Sequence, residues 1–192
     1  MENVFKGKRI LITGHTGFKG AWLTQWLLKM DAKILGISKG IPTKPSLFQV
    51  LGLKSEIKSL NIDIRNAKKI KKEILNFKPD FIFHLAAQSL VKKSYKDPLE
   101  TWQTNTIGSI NILNALRNIK KPVYSVFITS DKCYDNVEWS WGYRETDKLG
   151  GPDPYSGSKG AAEIAINSFQ RSFFPEDGNI QLAVGRAGNV IG

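Results

Sequence analysis

A single cysteine, Cys133, stands in this 192-residue sequence, so no internal disulfide framework can form, and the chain suits a reducing cytoplasm. Histidine is almost as scarce. His15 and His84 are the only two, too few to assemble a convincing metal cluster, and His84 reads as a packed side chain making a structural hydrogen bond. No apolar run approaches the roughly 18 residues of a membrane span. The opening Met1-Glu2-Asn3-Val4-Phe5-Lys6 lacks the charged-then-apolar pattern of a secretory leader. Acids are outnumbered, 17 against 28 Lys and Arg, which leaves a formal net charge of +11. The lysines are dispersed, however. Their one concentration, Lys68, Lys69, Lys71 and Lys72, falls on the solvent face of a predicted helix without interleaved aromatics, so no nucleic-acid partner is expected.

What is present is ordinary for a soluble domain, 41% hydrophobic and 23% charged. The length allows one well-buried domain and is short for two. Ile10, Leu11 and Ile12 form a short buried strand, and Thr13-Gly14-His15-Thr16-Gly17-Phe18-Lys19-Gly20 follows directly. From Phe18 the period becomes helical: Phe18, Trp22, Leu23, Trp26, Leu27 and Met30 predict an apolar face packed on a sheet. Gly14, Gly17 and Gly20 let the backbone turn tightly and bring a pyrophosphate to the free N–H groups of the helix start. A phosphate loop ending in Gly-Lys-Ser/Thr is excluded, because Lys19 precedes Gly20 and Ala21.

Further strands are predicted at residues 33–38, 59–63, 81–85, 123–129 and 181–187. A short helix is expected at 46–53 and longer ones at 65–77, 98–116 and from Pro154 onward. Asp97, Pro98 and Glu100 make a capping-box-like helix start, with Leu99, Trp102, Ile107, Ile110, Leu113 and Leu116 as its buried stripe. The alternation predicts a doubly wound parallel α/β sheet, a Rossmann fold, with chemistry at the carboxyl edge. Residues 135–151, with Trp139, Trp141 and Tyr143, predict an ordered loop that can cover a site.

Three features of that edge are open in the residues themselves. Where an acid commonly binds an adenosine ribose, the second strand ends in Ser38 and Lys39, which leaves the choice between NAD and NADP undecided. Asp63 can accept from an adenine amino group or cap the following helix. His15 brings a bulky ring into the glycine turn, an expected handicap to dinucleotide binding. Tyr155 and Lys159 are four apart on one helix face, where an ammonium would lower the phenol from its usual value near 10 toward a general base.

With Ser130 at the end of the fifth strand, these pieces resemble the extended short-chain dehydrogenase/reductase family, and within it the dehydratases that act on a CDP-linked glucose. The resemblance rests on the glycine turn and on His84-Leu85-Ala86-Ala87-Gln88. It rests also on Thr129-Ser130-Asp131-Lys132-Cys133-Tyr134-Asp135, Trp141-Gly142-Tyr143-Arg144-Glu145, Tyr155-Ser156-Gly157-Ser158-Lys159 and Arg186-Ala187-Gly188-Asn189-Val190-Ile191-Gly192. It implies NAD as cofactor, CDP-glucose as substrate, a homodimer, and a cytoplasmic lyase that eliminates water through an internal redox cycle. Tyr155, Lys159 and Ser130 would manage the proton of the sugar 4-hydroxyl, and Asp131 would protonate the departing 6-hydroxyl. Lys132, where relatives carry a glutamate, would act as the C5 base or stabilise the enolate. The resemblance further implies Gly14, His15, Thr16, Gly17, Phe18, Lys19, Gly20, Asp63, Ile64, Leu85, Ala86, Ala87 and Thr129 at the cofactor, beside Tyr155 and Lys159. Gln88, Ser130 and Asn189 are the implied sugar contacts. Members of the family continue past the closing motif into a substrate-binding domain, so residues 1–192 are expected to be the cofactor domain alone.

Overall fold

The computed structural model describes residues 3–191; Met1 and Glu2, and Gly192 of the closing motif, lie outside them. Six strands form one parallel sheet: β1 (Arg9–Thr13), β2 (Lys33–Ser38), β3 (Lys58–Asn61), β4 (Phe81–His84), β5 (Val123–Ile128) and β6 (Ile180–Gly185). The connections supply α1 (Phe18–Lys29), α2 (Leu47–Val50), α3 (Leu53–Glu56), α4 (Ala67–Phe77), α5 (Val91–Lys96), α6 (Pro98–Trp102), α7 (Gly108–Leu116) and α8 (Pro154–Phe173). The spatial order β3-β2-β1-β4-β5-β6 is the doubly wound arrangement that the alternation predicts. The chain winds outward from β1 to β3, then returns to β4 on the other side. The carboxyl ends of β1 and β4 therefore flank a crevice at the switch point.

Alternation along the strands builds two cores. Leu11 of β1 joins Leu35, Ile37, Ile82 and Phe127 on the face covered by α4, α7 and α8, whereas Ile10 and Ile12 face α1 with Leu27 and Ile34. Phe48 and Leu53 of α2 and α3 close against Ala21 of α1. The helix expected at residues 46–53 is two single turns, because Gly52 takes φ +64° between them. The capped start at Asp97 is as predicted, with its carboxylate accepting from Glu100 N at 2.9 Å.

Two predicted apolar stripes differ from what is observed. In α1 the inner face is Gly20, Ala21, Thr24 and Leu27, while Phe18, Trp22 and Trp26 are exposed. The helix lies so close to the glycine turn that a Cβ on Gly20 would sit 2.1 Å from Gly14 O. Only small residues fit beneath it, and the aromatics, although correctly spaced, take the outer face. In the second case a π-type turn at Gln103–Ile107 joins α6 to α7. Its extra residue rotates the helix face, which brings Thr101 and Asn105 inward and leaves Leu99, Trp102 and Ile107 exposed, while Leu113 and Leu116 are buried as expected. Helix α5 escaped the sequence reading, since Val91-Lys92-Lys93-Ser94-Tyr95-Lys96 carries neither a side-chain cap nor an apolar stripe.

Candidate functional site

The glycine turn is built by close approach. Gly14 takes φ +78°, and a Cβ there would meet Ala86 N at 2.7 Å, so the end of β1 and the segment after β4 are in backbone contact. Gly17 begins α1 without any side-chain cap, which leaves the N–H groups of the first turn aimed out of the helix for an anion. Thr16 Oγ1 donates to Gly40 O and fastens the turn to the end of β2.

Below this turn run two buried polar seams. His15 does not stand in the turn: its ring is packed over Gly36, bonded to Ser38 Oγ at 2.9 Å and Ser59 Oγ at 2.7 Å, and is 1% exposed. The steric handicap expected of it is absent, and burial lowers its pKa to about 4. His84 is likewise structural, as its sequence suggested. Ser109 donates to Asn105 O at 2.7 Å, so it can only accept from His84 Nε2, and Nδ1 must then accept from Thr13 Oγ1. Thr13 Oγ1 in turn accepts from Ala86 N at 3.2 Å. Burial holds His84 neutral, with its pKa lowered to about 3. One directed relay thus runs from the rim of the crevice to the π-type turn.

Ser130 lies two residues beyond β5 and caps the 3-10 turn at Asp131–Cys133. Ser130 Oγ donates to Asp131 Oδ1 at 2.9 Å and accepts from Lys132 N at 3.2 Å. Helix α8 brings Tyr155 and Lys159 to this corner. Asp153 caps it by accepting from Tyr155 N and Ser156 N, and Pro154 occupies the first turn. Tyr155 is 8% and Lys159 6% exposed. Burial, and next the charge of Lys19 on α1, lower Lys159 to about 8, which ties α8 electrostatically to the glycine turn. The expected lowering of Tyr155 is not found. Burial raises the phenol above its ordinary value, against a smaller opposite pull from a hydrogen bond with Ser130, and Lys159 Nζ donates instead to Ile128 O at 3.4 Å.

The remaining candidates divide by what their side chains already do. Asp63 does not cap α4, which is capped by Asn66; its carboxylate is gripped by Arg65 Nε and Nη2, with Oδ2–Nη2 at 2.6 Å. Ile64 is buried in the core against Gly108. Gln88 is 8% exposed, and its amide is engaged by Leu90 and Thr101, so its side chain is committed to the loop rather than offered to a sugar. Thr129 donates its hydroxyl to Glu163. Leu85, Ala86 and Ala87 are half-buried along the crevice, and Phe18, Lys19, Asp131, Lys132 and Asn189 are exposed.

Glu163 is a residue that the sequence reading missed. It is 6% exposed and forms a two-pronged pair with Arg186, at 2.9 and 2.7 Å, whose guanidinium also donates to Tyr134 Oη and Glu145 O. That guanidinium begins an aromatic stack that continues through Tyr134, Tyr143, Trp139 and Trp141, with successive ring centroids 5.0, 5.1 and 5.3 Å apart. The stack orders residues 135–148 as a loop closed at its base by Tyr134 bridging Leu149. Glutamate at the fourth position after Lys159 was the available signal, since it continues the same helix face.

The chain matches, over residues 11–177, a family model described as GDP-mannose 4,6 dehydratase. It is 48% identical to CDP-glucose 4,6-dehydratase of Salmonella typhimurium across 100% of this chain and 54% of that protein. With a probable dTDP-glucose 4,6-dehydratase of Sinorhizobium fredii it shares 29% identity over 86% of this chain and 50% of the relative. Among solved structures, UDP-glucuronic acid 4-epimerase of Bacillus cereus, in complex with UDP-glucuronic acid and NAD, superposes with a TM-score of 0.78 at 28% identity, over 93% of this chain and 55% of that one. UDP-glucose 4-epimerase of Thermus thermophilus, in complex with NAD, gives 0.79 at 24% identity over 93% and 54%, a likeness of fold. The chain therefore spans about half the length of the curated relatives it matches.

Proposed function

Since the chain belongs to the family described as GDP-mannose 4,6 dehydratase, we propose that residues 1–192 are the NAD-binding Rossmann domain of a CDP-glucose 4,6-dehydratase. The whole protein would convert CDP-glucose to CDP-4-keto-6-deoxyglucose in nucleotide-sugar metabolism feeding lipopolysaccharide-type polymers, as a homodimer in the cytoplasm. The observation that carries the reading is the 48% identity with the Salmonella enzyme over the full chain.

The residues present fit NAD. Its pyrophosphate requires close approach to backbone N–H groups: Gly14 and Gly20 pack the turn tightly against Ala86 and α1, and Gly17, whose Cβ would meet nothing nearer than Gly14 O at 3.4 Å, leaves the uncapped helix start open. Bound there, NAD would supply a hydride acceptor for C4 of the sugar and return the hydride to C6. The chain's own residues manage the protons. Tyr155 holds its proton in the resting site, since burial disfavours phenolate. A Ser130 hydroxyl turned from Asp131 to the phenolate, together with the charge of Lys159 one helical turn away, would favour its ionisation when the 4-hydroxyl arrives. Asp131, beside Ser130, donates to the departing 6-hydroxyl. Lys132 is exposed beside Asp131; it would take the C5 proton, and the ammonium so formed would stabilise the adjacent enolate.

Tyr155→Phe keeps the packing and removes the proton-transfer group. Turnover of CDP-glucose to the 4-keto-6-deoxy product, followed by NMR of the nucleotide sugar with added NAD, is expected to fall roughly 10²–10⁴-fold. Turnover of dTDP-glucose but not CDP-glucose by the parent would move the protein to a sister activity. A melting temperature raised by NAD without any sugar turnover would reduce it to a dinucleotide-binding module.

A further inference from the structure

The sheet edge beyond β2 inverts the usual chemistry of ribose recognition. Ser38 Oγ is turned inward, bonded to Thr16 N and to the His15 ring, so the first side chain free to face a ligand is Lys39. Its backbone is held in place by the next residue: Gly40 takes φ +67°, its N–H donates to Asn61 Oδ1, and its carbonyl accepts from Thr16. Lys39 Nζ then stands 3.1 Å from Glu100 Oε1 and 3.4 Å from Asp63 Oδ2, with its side chain 60% exposed. Each of those carboxylates has a second cation. Arg65 holds Asp63 at 2.6 Å, and Lys93 holds Glu100 at 2.6 Å. Three cations thus meet two carboxylates, with one positive charge in excess and the carboxylate lone pairs largely taken.

An acid at this edge selects an unphosphorylated ribose in two ways: it accepts from the 2′-hydroxyl and it repels a 2′-phosphate. Neither effect operates here. We propose that Lys39, with Arg65 beside it, forms a subsite for the 2′-phosphate of an adenosine dinucleotide, so that this chain accepts NADP about as well as NAD. The proposal rests on the dinucleotide reading above. On binding, the exposed Lys39 ammonium exchanges its weak contacts with Glu100 and Asp63 for a doubly charged phosphate, while Lys93 and Arg65 continue to neutralise the two acids.

Calorimetric titration of the purified chain with NAD and with NADP at one fixed moderate salt concentration tests this without any turnover. In the parent the two dissociation constants are expected within roughly tenfold of each other, since Arg65 and Lys93 neutralise the two nearby carboxylates and Lys39 attracts the phosphate. Lys39→Asp is expected to weaken NADP by roughly a hundredfold relative to NAD through like-charge repulsion, and Lys39→Ala to fall between. A parent preference for NAD of a hundredfold or more, or an NADP/NAD ratio unmoved in both variants, overturns the proposal. If neither dinucleotide binds the parent, the underlying cofactor reading falls and the proposal falls with it. Because Lys39 is exposed, the melting temperature of the unliganded alanine variant is expected to equal that of the parent and to serve as the folding control.

Discussion

Gly20→Ala is expected to abolish measurable dinucleotide binding and to lower the melting temperature, whereas Gly17→Ala leaves the melting temperature of the unliganded chain near the parent value and weakens dinucleotide binding alone. Alanine is the better helix former by about 1 kcal/mol, so propensity alone predicts that Gly20→Ala, inside α1, gains stability, while Gly17 stands at the N-cap, where that preference does not apply. Space decides otherwise. A Cβ at Gly20 would lie 2.1 Å from Gly14 O, 2.8 Å from Gly14 C and 2.8 Å from His15 Cα, all of them backbone or backbone-anchored atoms that no rotamer change can move. The turn must lift off the helix, at a cost of about 1–3 kcal/mol or more for overpacking, and the N–H groups that would face a pyrophosphate move with it. At Gly17 the nearest atom to an added Cβ is Gly14 O at 3.4 Å, and φ is −76°, so alanine fits. Calorimetry of the two variants, with and without NAD, makes the comparison; equal binding by Gly20→Ala and the parent would remove the cradle from the mechanism.

Acid is expected to destabilise this protein before its carboxylates titrate. His15 and His84 are held neutral in the fold, with pKa values of about 4 and about 3, against 6.5 for the model imidazole. Below that unfolded value the unfolded chain takes up protons that the native chain refuses. The stability contributed by the two neutral rings is therefore complete above pH 6.5 and is lost as pH falls toward the folded values. By pH 5 the loss amounts to about 4 kcal/mol for the pair, an order-of-magnitude figure from the linkage relation and a large share of a domain's total stability. Asp63, lowered to about 2 by its bonds with Arg65, loses its contribution only below its ordinary 3.8 and does not offset this window. Urea unfolding at pH 7 and pH 5 measures the difference. A flat profile would mean that one or both rings are protonated without leaving their sites.

The fold was legible because its signals are local and repeated. Strand, glycine turn and helix succeed one another at residues 9–29, and Asp97, Pro98 and Asp153, Pro154 mark two helix starts that the structure reproduces. Orientation was harder to read. Phe18, Trp22 and Trp26 have the right period for a buried face, yet period identifies a helix without saying which side is in, and the close contact at Gly20 reserves the inner side for small residues. The same limit applied at Leu99 and Trp102, where the π-type turn shifted the phase. At the site, the sequence brought Ser130, Tyr155 and Lys159 to one corner but not their electrostatics. Burial, which is invisible in spacing, raises Tyr155, and the Lys159 ammonium is turned to Ile128 O. Gln88 and Asp63 have partners, Thr101 and Arg65, that a strand-and-helix reading of the sequence leaves out.

The stack from Arg186 to Trp141 also bears on how this part of the molecule opens. Residues 135–148 contribute few members to the apolar core; they are held by the Asp135 N to Lys148 O bond, by the Tyr134 and Leu149 bridge, and by Arg186. Arg186 grips both ends of the loop, through Tyr134 Oη and Glu145 O, so none of these ties can be released far without straining the others. In hydrogen exchange the loop's amides should therefore open together as one cooperative unit, at a free energy below that of the sheet. Gly150 N donates to Cys133 O at 2.7 Å, which couples that opening to the turn carrying Asp131 and Lys132. The loop is then expected to act as a local unfolding unit whose closed population sets how often Asp131 and Lys132 are held in order.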